Sequence, residues 1–316
     1  MSDTSVHRIV VPAQINAAGL PPFLELIGQD FCGRTVCLNF AQLRRVSPAG
    51  MVALVATVKR WQRAGLRVVF ENLDACAITG YLQRMDVLRT CGIQLPEHFK
   101  RHESTGRFMP VQLIEHPVDS LGHAMAICVA PGGDDLDQPL SALYDLVWYV
   151  LTETANNARQ HSSGAGYASA QVTRSEGFVR LAIADNGKGI LQSFRDAGLK
   201  WSLPMDDPAA IRKALEPFVS SKGNPTNEGV GLTLVSGLAR LTKAMLLIVS
   251  GRGMLTMDGA GHIRTQLQGK GAVFQGTLVA LTIPQNYVQD FAALLTAAKV
   301  SAGLLHTPGS GATFSP

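Results

Sequence analysis

The stretch 151–162 reads LTETANNARQHS and spaces Glu153, Asn157 and His161 at steps of four within an apolar helical pattern. Residues four apart lie on one helix face, so the three side chains line up. Upstream, Leu140, Leu143, Tyr144, Val147, Leu151 and Thr154 mark the core-facing stripe, and the Glu153/Asn157 line runs along its flank. A polar pair half-removed from water there needs a partner. On its own, the spacing also suits a pair that caps or salt-bridges a surface helix.

Two glycine motifs lie further out. Asp185-Asn186-Gly187-Lys188-Gly189 ends the apolar run 178–184, and Gly229-Val230-Gly231-Leu232 opens a second helical pattern, 232–241. Asp185 continues the alternation of Val179, Leu181 and Ile183, so its carboxylate points to their buried side and must be hydrogen-bonded. Glycines before a helix leave free N–H groups and the positive end of the helix dipole open to phosphate. A magnesium-bound polyphosphate would then be the partner that Glu153 and Asn157 need.

These three motifs, in this order, resemble the nucleotide-binding boxes of the GHKL ATPase superfamily, which groups gyrase, a heat-shock chaperone, histidine kinases and mismatch-repair ATPases. The resemblance implies an α+β two-layer sandwich of the Bergerat type that binds ATP with Mg2+. It makes Asn157 the magnesium ligand, Asp185 the acceptor for the adenine amino group, and Gly187 and Gly189 the points where the backbone passes close to the base. Gly229, Gly231 and Leu232 then face the triphosphate, and Glu153 is placed to orient or deprotonate the attacking hydroxyl. Gly276-Thr277, leading the strand 278–283, resembles the last shared element and puts Thr277 near the adenine.

Between the glycine motifs, 191–228 is rich in Gly, Pro, Ser and charge, with little regular pattern. A segment this long inside a domain is usually functional. By the resemblance it is the ATP lid, and 218–222 is similar to the phenylalanine-containing stretch of histidine-kinase-type lids. Lys222 is read there either as a phosphate contact or as a solvated lysine, and His161 either as part of the site or as a capping histidine.

Before residue 100, strand patterns at 6–11, 35–40 and 66–70 alternate with helical ones at 20–29, 51–63 and within 73–88. That alternation predicts a small α/β unit. A strand running into Ser47-Pro48-Ala49-Gly50 and then a helix resembles the STAS domain of anti-sigma-factor antagonists. Phosphorylated members carry Asp-Ser-Ser-Gly at this turn, with the serine before glycine accepting phosphate. Ala49 stands at that position and has no hydroxyl, while Ser47 before Pro48 suits a helix N-cap better than a displaced acceptor. The expected organisation is a STAS-like regulatory or docking domain at 1–95, a linker at 96–105, the GHKL domain at 106–300 and a disordered tail at 301–316.

At 316 residues and 46% hydrophobic content the chain can bury two ordinary cores. The net charge of +4 is spread out except for Lys59, Arg60, Arg63 and Arg67, which read as a solvated helix face, so no direct nucleic-acid partner is expected. Five cysteines, Cys32, Cys37, Cys76, Cys91 and Cys128, lie in apolar patterns without metal spacing, which predicts reduced core thiols and no zinc. No apolar run approaches the ~20 residues of a membrane span, and the expected location is cytoplasmic.

The resulting expectation is an anti-sigma-factor-type kinase that uses Mg-ATP to phosphorylate a serine or threonine on a separate protein. That partner would be a STAS-domain protein or a sigma-factor-like regulator, with a homodimer left open. The competing expectation is a nucleotide-dependent switch or slow ATPase without phosphotransfer to protein. A histidine kinase is discounted, because none of His98, His102, His116 and His123 sits in a dimerising helical hairpin pattern.

Overall fold

A computed structural model describes residues 6–16, 19–28, 33–115, 117–221, 229–269 and 271–305. The first unit comprises β1 (Val6–Val10), β2 (Gln14–Ile15), α1 (Leu20–Ile27), β3 (Thr35–Asn39), β4 (Arg45–Val46), α2 (Pro48–Arg63), β5 (Arg67–Glu71), α3 (Thr79–Arg84) and α4 (Val87–Thr90). β1, β3 and β5 form a parallel sheet in that order. Parallel neighbours need crossover connections, and α1 and α2 supply them. Ser47 is the N-cap of α2, its hydroxyl accepting from the Gly50 N–H, with Pro48 at the first helical position.

The second unit comprises β6 (Phe108–Leu113), α5 (Val118–Val129), α6 (Ser141–His161), β7 (Gly166–Thr173), β8 (Phe178–Asp185), α7 (Ile190–Asp196), α8 (Asp207–Ala214), α9 (Gly231–Leu241), β9 (Met245–Gly251), β10 (Gly253–Met257), β11 (Ile263–Leu267), β12 (Phe274–Pro284) and α10 (Phe291–Ser301). Its seven strands form one antiparallel sheet in the order β11-β10-β9-β12-β8-β7-β6. Along β8, Val179, Leu181 and Ile183 face a core shared with α5, α6, α9 and α10. The mixed α/β class and the sandwich of helices on an antiparallel sheet are both present.

The other face of that sheet is covered too. Ala182 and Ala184 of β8, Val249 of β9 and Leu278 of β12 share a core with Val52, Leu54, Val55 and Val58 of α2. α2 packs on β7, β8 and β12 as well as on β5, so it lies between the two sheets. A helix buried on every side must be apolar on every side, and all of Met51 to Val58 is buried. The segment 96–105 joins the two units along the chain, but one continuous core runs through both.

Several elements depart from the sequence reading. α5 was not foreseen, because Gly122, His123 and Asp119 dilute its periodicity; a Cβ at Gly122 would lie 2.7 Å from Thr152 Oγ1, so glycine sets the approach of α5 to α6. The segment 191–228 is not patternless: α7 and α8 fall within it, and Asp207 ties α8 to the sheet by accepting from Arg252 N at 2.9 Å. The excursion 251–271 contains β10 and β11. The last helix starts at Phe291 rather than 287, because Asp290 caps it by accepting from Ala293 N. Cys37, Cys76, Cys91 and Cys128 are buried thiols, whereas Cys32, Lys222 and residues 306–316 of the expected tail lie outside the described residues.

Candidate functional site

A cavity of about 350 Å³ opens between α6, the sheet, α7 and the start of α9. Glu153, Asn157 and His161 of α6 all line it, as do Asp185, Gly189, Gly229, Gly231, Leu232 and Thr277. One helix face, one strand end and one helix start are thus brought together.

At one end lies Asp185, 3% exposed, whose carboxylate accepts from Gly187 N at 2.8 Å and Thr277 N at 3.2 Å. Burial pushes its pKa up to about 7, and the two N–H donors pull the other way. Gly187 does not line the cavity. It lies behind it, where a Cβ would fall 1.9 Å from the Ser162 carbonyl oxygen, so only glycine lets the loop close against α6. Gly189 has φ +79°, in the left-handed region, where its carbonyl and N–H turn the chain into α7.

At the other end Gly231 opens α9 against Glu153. A Cβ there would lie 2.3 Å from Glu153 Oε2 and 3.7 Å from Asn157 Nδ2, so glycine keeps this corner clear. Burial raises the Glu153 pKa above its ordinary value. The unsatisfied N–H groups of the first turn of α9 face the same corner. Glu153 and Asn157 supply the hard oxygens that Mg2+ prefers, and that ion takes one or two protein ligands and completes its shell with phosphates and water. The donor set therefore fits a magnesium–triphosphate.

Sequence reading missed the apolar wall and the hydroxyls. Ile183, Ile190, Phe194, Val219 and Val279 line the cavity and give it an apolar wall against which a flat base can be held. The signal was present, since Ile190 and Phe194 are four apart directly after Gly189. Ser193 and Ser221 also line the cavity and form a chain with His161, argued further below.

A buried hydrogen-bond acceptor, an apolar wall and a helix N-terminus beside a magnesium-competent pair, all lining one cavity, define a nucleotide-binding domain. Its particular kind follows from comparison: residues 144–286 match the family described as histidine kinase-, DNA gyrase B-, and HSP90-like ATPase, and this part of the chain is an ATP-binding domain of the GHKL type. No curated protein matches the chain by sequence. Among the described residues, no helix is long and apolar enough to cross a membrane.

The Asp185 shift predicts a pH dependence. The folded-state pKa is raised from 3.8 to about 7. This group's stabilising contribution is therefore complete below the unfolded value and is lost as pH rises through about 7. The anionic acceptor becomes populated over the same upper range. Adenine-nucleotide affinity should weaken on going from about pH 8 to about pH 6, by up to about tenfold per unit below the pKa. Calorimetry across that range checks it, and an affinity flat in pH would refute the role of the carboxylate.

Proposed function

We propose that this chain uses Mg-ATP to phosphorylate a serine or threonine on a separate protein partner, in the manner of anti-sigma-factor kinases. The observation that carries this reading is the placement of Glu153, a half-buried carboxylate lining the cavity and held against Gly231 at the start of α9. A base there can take the proton of an incoming hydroxyl, and Asn157 one turn away can hold the metal. Bound Mg2+ supplies charge neutralisation across the triphosphate. The chain's own residues orient the nucleotide: Asp185 accepts from the base, the apolar wall clamps it, and the first turn of α9 receives the phosphates. Lys222 is retained as a candidate phosphate contact.

The chain's own STAS-like unit is not the substrate in this reading. Ala49 lacks a hydroxyl, and the Ser47 oxygen is engaged by Gly50 N and lies 3.4 Å from Ile15 O, on the side of the sheet away from the cavity. The unit acts instead as a docking or regulatory module, and the partner is a STAS-domain protein or a sigma-factor-like regulator, in the cytoplasm. A nucleotide switch without phosphotransfer is the second reading. It is favoured by Asn186, next to Asp185, whose Nδ2 donates to Ala56 O of α2 at 3.4 Å and so ties the nucleotide loop to the first unit.

The test is magnesium and γ-labelled ATP with the full chain and its co-purifying proteins, read by phosphoprotein analysis. The expected result is label on a serine or threonine of a partner and none on Ser47. ATP consumption without labelled protein would replace the kinase by the switch. In parallel, GTP should bind at least about tenfold more weakly than ATP, because Asp185 can accept from the adenine amino group but would face the guanine carbonyl.

A further inference from the structure

His161, Ser193 and Ser221 come from three different elements and meet inside the cavity. His161 Nδ1 lies 2.6 Å from Ser221 Oγ, and Ser221 Oγ lies 3.0 Å from Ser193 Oγ. Ser193 is 6% exposed, and all three residues line the cavity. His161 ends α6, Ser193 lies in α7 just after Gly189, and Ser221 closes the described part of the lid.

Two hydroxyls bring two O–H donors and four lone pairs. If His161 Nδ1 accepts, Ser221 donates to it, Ser193 donates to Ser221, and lone pairs remain on both oxygens. If Nδ1 donates, the chain still leaves lone pairs, together with one O–H. In either tautomer the cluster has acceptor capacity to spare, in a partly desolvated place where spare polar capacity calls for a partner.

The donors of an ATP molecule are few. They are the adenine amino group and the two ribose hydroxyls, since the ring nitrogens and phosphate oxygens only accept. Asp185 takes the amino group in the reading above, and the triphosphate is drawn to the opposite end by the first turn of α9 and by Asn157. The ribose lies between base and phosphates, and its hydroxyls are the donors left over. We propose that Ser193 and Ser221, oriented by His161, form a ribose-hydroxyl subsite that makes this cavity selective for ribonucleotides over deoxyribonucleotides. The proposal rests on ATP occupying the cavity with its base at Asp185.

The experiment is calorimetric titration of the full chain, with magnesium, against ATP, 2′-deoxy-ATP and 3′-deoxy-ATP, repeated with Ser193→Ala. In the wild type, at least one deoxy analogue should bind about tenfold more weakly than ATP, the loss expected when a polar site is left without its partner. Ser193→Ala should lower ATP affinity while leaving that analogue nearly unchanged, so the discrimination shrinks. Equal wild-type affinity for all three nucleotides would overturn the subsite. So would a Ser193→Ala variant weakened equally toward ATP and its analogues, because that pattern describes a latch that only closes the lid. The ligand-side comparison needs no variant to fold. Failure of the wild type to bind ATP at all would instead refute the nucleotide reading, and the subsite with it.

Discussion

Glu153→Gln should leave Mg-ATP binding nearly intact and lower turnover by about 10²–10⁴-fold, the range that a positioned general base contributes. Glutamine keeps the shape beside Gly231, where the carboxylate oxygen already excludes any side chain at that corner. What it removes is the proton acceptor, whose pKa burial raises above its ordinary value. Single-turnover kinetics with matched calorimetry separate the two effects. Undiminished hydrolysis by Glu153→Gln would show the carboxylate to be structural and would put the switch reading ahead of the kinase.

Leu54→Ala should destabilise the whole chain by about 2–5 kcal/mol, the cost of a large-to-small change at a fully enclosed position. Leu54 is 0% exposed, in the core that α2 shares with both sheets. Because both sheets lean on that helix, denaturant unfolding should remain a single transition whose midpoint moves. Two transitions, of which only one shifts, would show that the units stand independently.

The ATP-binding domain was legible because its chemistry is local in sequence. Glu153 and Asn157 share a helix face, Asp185 continues a two-residue alternation, and Gly187, Gly189, Gly229 and Gly231 stand where a side chain would collide or φ turns positive. The relation between the units was not legible, because Ala184, Val249 and Leu278 meet α2 from three separate strands and carry no mark of their partner. One sign was available. Met51 to Val58 is apolar or small around the full turn, a pattern of two-sided burial rather than of a surface helix. The serines were missed for a different reason: Ser193 and Ser221 are 28 residues apart and look like ordinary loop polarity until the fold brings them together beside His161.

The hydrogen bond from Asn186 to the Ala56 carbonyl spans 130 residues of chain. At translation rates of about 5–20 residues per second, α2 is made roughly 7–26 s before the loop after β8 that carries Asn186. During that interval the small parallel sheet can cover one side of α2, while the opposite apolar side waits for a surface not yet synthesised. Contacts so distant in sequence also close slowly once the chain is complete. The helix that joins the two units is therefore the point at which the nascent chain is most open to aggregation and to holdase chaperones, for a time set by translation speed rather than by the composition of α2.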